Sequence, residues 1–250
     1  MSTDLGRVVA VARKEFREYR RNRFIVGTML VLPVVFLVLP VAAVFRLTAS
    51  TPHAAIDKQV GSTLLTTFII PVVVPAAIAA YSVVGERDQG TLEPLLTTPV
   101  RRQELLLGKA LGAIIPSVLM GYLFFAVLAV AVRIGATQHV VDLVWQPSEF
   151  LAQALFSPLL AGWSIWVGIG ISARSTDVRV AQQLSTLASL PALGVTALFT
   201  FQVLCPSVTL AVVLALALAV VDVAAWWAVS ATFDRERLIT GHRAMPVERP

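Results

Sequence analysis

Charged side chains are scarce in this sequence. They make up 14% of its 250 residues, whereas 57% of the residues are hydrophobic. Soluble domains carry about 25% charged residues, so the composition excludes an ordinary soluble domain and indicates a membrane protein. The apolar stretches do not alternate with polar positions as the strands of a membrane barrel do. We therefore predict an all-α membrane protein.

Cysteine and histidine are nearly absent as well. Cys205 is the single cysteine, which excludes an internal disulfide. The three histidines, His53, His139 and His242, fall in three separate predicted loops and lack the spacing of a metal site. We expect the chain to bind no metal.

The sequence also lacks the phosphate-binding motif G-x-x-x-x-G-K-[ST]. Gly108-Lys109 comes nearest, but Ala110 follows it and Gln103 stands where the first glycine belongs. We therefore expect no enzyme activity and no cofactor on this chain, and ATP hydrolysis would need another chain.

Long apolar runs are abundant. A spanning helix needs about 20 mostly apolar residues, and six runs meet this length. They predict a transmembrane domain over residues 25–230, preceded by an N-terminal segment 1–24 and followed by a tail 231–250. The predicted spans are 25–45, 64–84, 111–132, 150–172, 184–204 and 208–230.

The basic residues are distributed unevenly between the two sides of these spans. Seventeen of the 20 Lys and Arg residues fall in the N-terminal segment, the 85–110 and 173–183 loops and the tail. By the positive-inside rule, both termini are cytoplasmic in the plasma (inner) membrane. Membrane topology thus accounts for the net charge of +5, and no nucleic-acid partner is needed.

Two polar segments lie on the predicted cytoplasmic side. Residues 5–23 form an amphipathic helix, with Leu5, Val8, Val9, Ala12, Phe16 and Tyr19 on one face and Arg7, Lys14, Arg17 and Arg21 facing away. Such a helix lies in the membrane interface, alone or together with a cytoplasmic partner.

The second polar segment, residues 85–109, contains a predicted short helix. Gly85 and Glu86 end the second span, Gly90 breaks the chain, and Thr91 caps the helix, with Pro94 in its first turn. The helix exposes Leu92, Leu95 and Leu96. Exposed leucines among charges indicate a surface for a soluble protein. The alternative is an amphipathic loop resting on lipid.

The residues of this second segment resemble a known family. The run from Gly85 to Pro99, GERDQGTLEPLLTTP, followed by ELLLGK ending at Lys109, closely resembles the cytoplasmic loop of ABC-2 type transporter permeases. The N-terminal run ARKEFREYRRNR from Ala12 and the run ARSTDVRVAQQ from Ala173 are similar to that family's interface helix and second inner loop.

The resemblance implies a permease subunit of an ABC exporter, with an interface helix and a coupling helix between the second and third spans. Two subunits would pair, as identical copies or paralogues. Each would dock a cytosolic ATPase that holds ATP and Mg²⁺. The docking residues implied are Glu86, Arg87, Gly90, Thr91, Leu92, Glu93, Leu95 and Leu96, and those of the second inner loop are Arg174, Asp177 and Arg179.

The sequence indicates fewer residues for a substrate path than for the docking surface. The resemblance suggests that the second and fifth spans line it. Asp222 is the one ionisable residue well inside a predicted span, and Gln202 is a weaker pathway candidate. Scarce charge favours a hydrophobic or amphipathic cargo. Ser164, Gly168 and Ser172 form a stripe of small residues suited to close helix packing.

Two other classes of protein remain as alternatives. An ion-coupled secondary transporter would use Asp222, but such transporters place several polar groups near the membrane midplane. An intramembrane enzyme would need a nucleophile with a base, and the predicted spans contain no histidine.

Overall fold

The computed structural model describes residues 4–21, 23–48, 50–88, 90, 100–200 and 208–232. The regular structure of these residues is helical, and they contain no strand. We number the helices α1 (Leu5–Arg21), α2 (Arg23–Phe45), α3 (His53–Ala80), α4 (Arg102–Gly135), α5 (Gln138–Val144), α6 (Pro147–Ser172), α7 (Val178–Thr200) and α8 (Val208–Thr232).

Four helices in the described part of the chain are long and apolar enough to cross a membrane. They are His53–Gly85, which includes α3, and Arg102–Gly135, Pro147–Ser172 and Val208–Ala231. The predicted first and fifth spans overlap α2 and α7, which are helical but are not among these four. An all-helical architecture with several helices apolar enough to span a membrane is confirmed for the described residues, whereas the count of six spans stays a prediction.

Two helices occupy regions that the sequence pattern assigns to outer loops. α3 begins at His53, where Ala55 N and Ile56 N donate hydrogen bonds to the Pro52 carbonyl. The predicted loop 46–63 is therefore largely helical. The predicted loop 133–149 contains α5.

α3 is the central helix of the bundle. In its most apolar stretch 83% of the residues are buried, against 17% in the corresponding stretch of α8. Small side chains such as Ala76, Ala79 and Ala80 allow neighbouring helices to approach α3 closely. The seven prolines of the predicted spans all lie inside helices, namely Pro33, Pro40, Pro71, Pro75, Pro116, Pro158 and Pro191.

Helices α1, α4 and the chain after α3 meet at one end of the bundle, which we call the α1 end. At the opposite end, two histidines that the sequence assigns to separate loops lie in helices and contact each other. The His53 and His139 rings stack edge to face with their centroids 4.5 Å apart, and His139 Nε2 lies 3.2 Å from Asp57 Oδ1. Cys205 and His242 lie outside the described residues.

Candidate functional site

The α1 end contains the flanks of the predicted docking segment. Glu86, Arg87 and Gly90 precede it, and α4 follows it after Val100. The central docking residues lie outside the described part of the chain, as does the pathway candidate Gln202. These docking residues are Thr91, Leu92, Glu93, Leu95 and Leu96.

The chain leaves α3 through a widened helical turn. Residues Tyr81–Gly85 form a π-helical turn, which is followed by a last short helical turn over Glu86–Asp88. A π-turn disturbs the regular backbone ladder and often lies at a functional site. Here Ser172 of α6 supplies the missing partner: its Oγ donates to the Ala80 carbonyl at 2.8 Å and accepts from Val83 N and Val84 N.

A buried ion-pair cluster joins this turn to α1 and α4. The Lys109 Nζ lies 2.7 Å from Glu86 Oε1 and 3.2 Å from Glu15 Oε1, and it donates to the Ser82 carbonyl at 2.9 Å. Lys14 Nζ reaches the same two carboxylates at 3.1 Å and 3.3 Å. We call Lys14, Glu15, Glu86 and Lys109 the Lys109 cluster.

The Lys109 cluster is electrically balanced and largely dry. Two ammonium groups face two carboxylates, and the Lys109 side chain is only 1% exposed. Burying such charges is strongly unfavourable unless they are paired and hydrogen-bonded, so the four groups depend on one another. Any separation of α1 from α4 would leave a buried charge without its partner.

The ionisation of groups on α1 reflects this pairing. Burial disfavours the charged form of Glu15, but Lys109 and Lys14 outweigh it and lower the pKa of the carboxyl group. For Lys14, burial is outweighed by Glu15 and Glu86, which raise the pKa of the ammonium group. Burial and the Glu15 carboxylate raise the pKa of Tyr19 well above its usual value, so its hydroxyl stays protonated and donates to Glu15 Oε2 at 3.1 Å.

Three carboxylates near the Lys109 cluster raise the question of whether they bind a metal ion. Glu15, Glu18 and Glu86 bring one oxygen each within 4.8 Å of one another. The Lys14 ammonium group lies within 3.3 Å of all three residues. The ammonium groups of Lys14 and Lys109 already occupy the space between these carboxylates and offset two of the three negative charges, so this group fits an ion-pair network better than a metal centre.

The Glu104 carboxylate joins the N-termini of α1 and α4. Glu104 is fully buried, and its Oε1 accepts a hydrogen bond from Asp4 N at 3.0 Å while its Oε2 accepts one from Arg101 N at 2.9 Å. Both amides belong to helix N-termini, where backbone donors lack partners within the helix. One side chain therefore caps two helices.

Two glycines of α4 provide the seat for α1. A Cβ placed on Gly108 would lie 2.5 Å from Val11 Cβ and 3.1 Å from the Val8 carbonyl, and one on Gly112 would lie 2.9 Å from Glu15 Cβ. The Gly-x-x-x-Gly spacing puts both on one face of α4. Only glycine permits this approach, which brings Glu15 within reach of Lys109.

The predicted second inner loop lies beside the exit from α3. Arg87 donates from its guanidinium to the Ser175 carbonyl at 3.4 Å. Within that loop, Arg174 donates to the Gly170 carbonyl and Asp177 Oδ1 accepts from Arg179 N, so both side chains stabilise adjacent helix ends. The Arg179 side chain is exposed.

Gly90 ends the helical turn as the sequence predicts. Its φ is +67°, in the left-handed region that favours glycine, and its amide donates to the Arg87 carbonyl.

The predicted pathway residue Asp222 lies some distance along α8. Its Oδ2 packs over Gly162 of α6, where a Cβ would come within 2.7 Å of it. Its Oδ1 is buried without a hydrogen-bond partner among the described residues. The small-residue stripe of α6 is confirmed as a close contact, since Gly168 packs against Ala79 and Ser172 holds the π-turn.

Sequence reasoning misplaced two residues of the cluster. It predicted that Lys14 faces away from the protein, and the structure instead directs Lys14 across to Glu86. It also placed Lys109 in the polar segment before the third span, whereas Lys109 is buried inside α4. The sequence did contain a sign of the buried cluster. Glu15 stands four residues after Val11 and four before Tyr19, so this acid shares the buried face of α1 with two hydrophobic residues.

The chain is similar to known transport proteins. Residues 9–203 match the family described as "ABC-2 family transporter protein". A "Probable ABC transporter permease protein NosY" from Stutzerimonas stutzeri is 32% identical over 171 residues, covering 64% of this chain and 56% of that protein. A protein of the same name from Pseudomonas aeruginosa is 37% identical over 110 residues, covering 42% of this chain and 38% of that protein.

Proposed function

The chain belongs to the ABC-2 family of transporter proteins, and on that basis we propose that it is the permease subunit of an ABC exporter. It moves a substrate across the plasma membrane with energy from ATP hydrolysed by a separate cytosolic subunit. The aligned region spans 56% or less of the relatives' lengths. The main support for the proposed activity of the whole protein is therefore the arrangement of the α1 end.

The observation that carries the proposal is the bracing of the segment between Glu86 and Arg101 at both of its ends. Glu86 and Arg87 precede it and are held by Lys109 and by the Ser175 carbonyl. Arg101 follows it, and the Arg101 amide is held by Glu104, which also caps α1. A force applied between these two anchored flanks is transmitted to α3, α4 and α1 together.

The physical mechanism follows from these contacts. The ATPase closes on ATP and pushes on the docking helix, about residues 91–98. The push reaches α3 and α4 directly through the chain, and the Glu86–Lys109 pair couples the two helices to each other. Because interfaces packed in this way move as rigid units rather than deform, the displacement turns whole helices. The substrate path between two permease subunits then opens from the inner to the outer side.

The topology that we propose has both termini in the cytoplasm and six spans, with α2 and α7 as the first and fifth. The α1 end carries the basic loops, and this supports a cytoplasmic position for it by the positive-inside rule. The second permease subunit is an identical copy or a paralogue.

One observation favours a second candidate, an ion-coupled transporter. Asp222 Oδ1 is buried in the bundle without a hydrogen-bond partner among the described residues, and intramembrane acids of this kind serve ion pathways in such proteins. A transporter of this type would run without a nucleotide-hydrolysing subunit.

The test is co-purification from native membranes. We expect an ATPase subunit to accompany the tagged chain in near-equal amount, with vanadate-sensitive ATP hydrolysis in the same sample. Replacing Leu92, Leu95 and Leu96 by Asp should reduce recovery of the ATPase at least tenfold without reducing membrane insertion, because charged side chains cannot fill an apolar docking pocket.

The matched control replaces Leu187, Leu190 and Leu198, which are exposed on α7, by Ala. This control variant also alters three leucines, but away from the docking segment, and should leave ATPase recovery unchanged. Normal recovery of the ATPase with the Asp variant would refute docking through residues 91–98. A wild-type chain that purifies alone under gentle conditions would favour the ion-coupled transporter.

A further inference from the structure

A large apolar groove runs from α1 down the outer surface of α4. Its volume is about 720 Å³, within the range of roughly 300–1,000 Å³ typical of sites for small organic ligands. We call it the arginine groove, after the two cations at its edge. α1 contributes Val9, Ala12, Arg13, Phe16 and Arg20. α4 contributes residues from Leu111 to Leu123, and Val26 of α2 also lines the groove.

The α1 wall is a separate face of that helix. Val8, Val11, Glu15 and Tyr19 form the buried face that packs on α4. Val9, Phe16 and Arg20 follow a different helical stripe, and Val9 and Phe16 remain largely exposed. Apolar and basic residues in one exposed stripe are typical of a helix in contact with the lipid interface.

The α4 wall continues the groove into the membrane. Leu111, Ile115, Leu119 and Leu123 recur every four residues and are all exposed. α4 is itself long and apolar enough to span the membrane. The stripe therefore offers an acyl chain a continuous apolar track that starts beside α1.

The charge at the head of this track is positive and uncompensated. Neither Arg13 nor Arg20 takes part in the ion pairs among the described residues, whose basic members are Arg7, Lys14, Lys109 and His139. We propose that the arginine groove binds an anionic phospholipid of the surrounding bilayer, with its phosphate between Arg13 and Arg20 and one acyl chain along α4.

Charge complementarity favours a lipid over a second copy of the chain. A symmetric contact through this groove would bring the same surface of each copy together, and with it four arginines. An anionic headgroup neutralises the two arginines of one copy instead, and arginine suits phosphate because it can donate two parallel hydrogen bonds. The inference is independent of any ATPase partner.

The experiment is native mass spectrometry of the full chain in mild detergent, titrated with phosphatidylglycerol or phosphatidylcholine. We expect one phosphatidylglycerol to bind per chain, at least tenfold more tightly than phosphatidylcholine. The double variant Arg13→Gln/Arg20→Gln should bind phosphatidylglycerol about thirtyfold more weakly, because each basic residue near an anionic surface contributes about a fivefold change.

The matched control is Arg17→Gln/Arg21→Gln, which removes the same charge from α1 at exposed positions outside the groove lining. It should change phosphatidylglycerol binding less than threefold. A second variant, Leu119→Trp, narrows the apolar track and keeps both arginines; it should also weaken binding at least tenfold.

Three results would overturn the proposal. One is equal binding of the two phospholipids by the wild-type chain. Another is an equal loss in both double variants, which would indicate general attraction between α1 and anionic lipid. The third is efficient disulfide cross-linking of a Leu119→Cys variant to its own copy after Cys205→Ser, which would assign the groove to a contact between two chains.

Discussion

At the scale of single residues, Lys109 organises the α1 end. Its ammonium group contacts Glu15 of α1, Glu86 after α3 and the Ser82 carbonyl inside the π-turn. Three segments distant in sequence therefore meet at one nitrogen atom. Because the surroundings are dry, each of these contacts is stronger than it would be at the surface.

Removing this nitrogen should destabilise the protein strongly. Lys109→Met leaves Glu15 and Glu86 facing a single ammonium group, and breaking one partner out of a buried pair costs about 3–5 kcal/mol. We expect a clear fall in the temperature of thermal unfolding in detergent. Adding Glu15→Gln restores the balance of charge, so Lys109→Met/Glu15→Gln should recover a large part of the loss. If the double variant is less stable by the sum of both single effects, charge balance is not the cause.

The lowered pKa of Glu15 predicts a pH dependence with a definite sign. A carboxyl group whose pKa is lower in the folded state stabilises the fold above its unfolded value of 4.5, and the stabilisation is lost as the pH falls through the lower folded pKa. The difference in unfolding temperature between wild type and Glu15→Gln should therefore be constant between pH 5 and 8 and shrink below pH 4.5.

The control for this pH series is Glu18→Gln. Glu18 also contacts Lys14, but its side chain is 50% exposed, and exposed pairs contribute little to stability. Its difference from wild type should stay small throughout. A Glu15→Gln difference that grows on acidification would contradict the assigned ion pair.

At the scale of helices, the contact between α1 and α4 depends on the absence of two side chains. Gly108 and Gly112 allow the α1 backbone to lie directly on α4, and this closeness brings Glu15 to Lys109. The close packing of α1 on the two glycines is thus a precondition for the ion pair between Glu15 and Lys109.

Filling this seat should detach α1. In Gly108→Val the new Cβ would meet Val11 and the Val8 carbonyl, which is backbone and cannot move aside without shifting α1. Limited trypsin digestion should then cleave at the arginines between residues 13 and 23 at least tenfold faster than in the wild type. Gly194→Val is the control, since a Cβ at Gly194 meets nothing within 4 Å. Equal digestion of both variants would refute the role of Gly108.

The helices themselves could be predicted well from the sequence. Apolar runs and the 3.6-residue period of α1 are local signals, and Gly90 shows its turn conformation through residue type alone. The pairing of Lys14 with Glu86 joins positions 72 residues apart, and local periodicity contains no information about it. The same holds for Glu104 and Asp4. The long-range partners of the buried charges could therefore be identified only from the folded structure.

At the scale of the whole molecule, the described chain is a helical bundle with a polar, braced α1 end and a more ordinary opposite end. The opposite end has partly exposed contacts such as His139 with Asp57, whereas the α1 end buries its charges. The two ends therefore differ in how their charged side chains are buried and paired, although both are helical.

The proposed orientation can be tested with the single cysteine. The sequence places Cys205 near the outer end of the predicted fifth span. A membrane-impermeant maleimide should label it in intact cells. A Ser175→Cys variant lacking Cys205 places its thiol at the α1 end and should be labelled only after the cells are opened. The reverse pattern would place the α1 end outside and contradict the positive-inside assignment.

The capping of two helices by Glu104 has a consequence for biosynthesis. Asp4 must wait until 100 further residues have been made before its partner Glu104 exists, which takes about 5–20 s at the usual rate of protein synthesis. During that time α1 has no α4 to rest on, and its apolar residues would favour the surface of the bilayer. Helix α1 thus gains its cap and its packing surface on α4 only after α2 and α3 have been made, while α6, α7 and α8 are still to be synthesised.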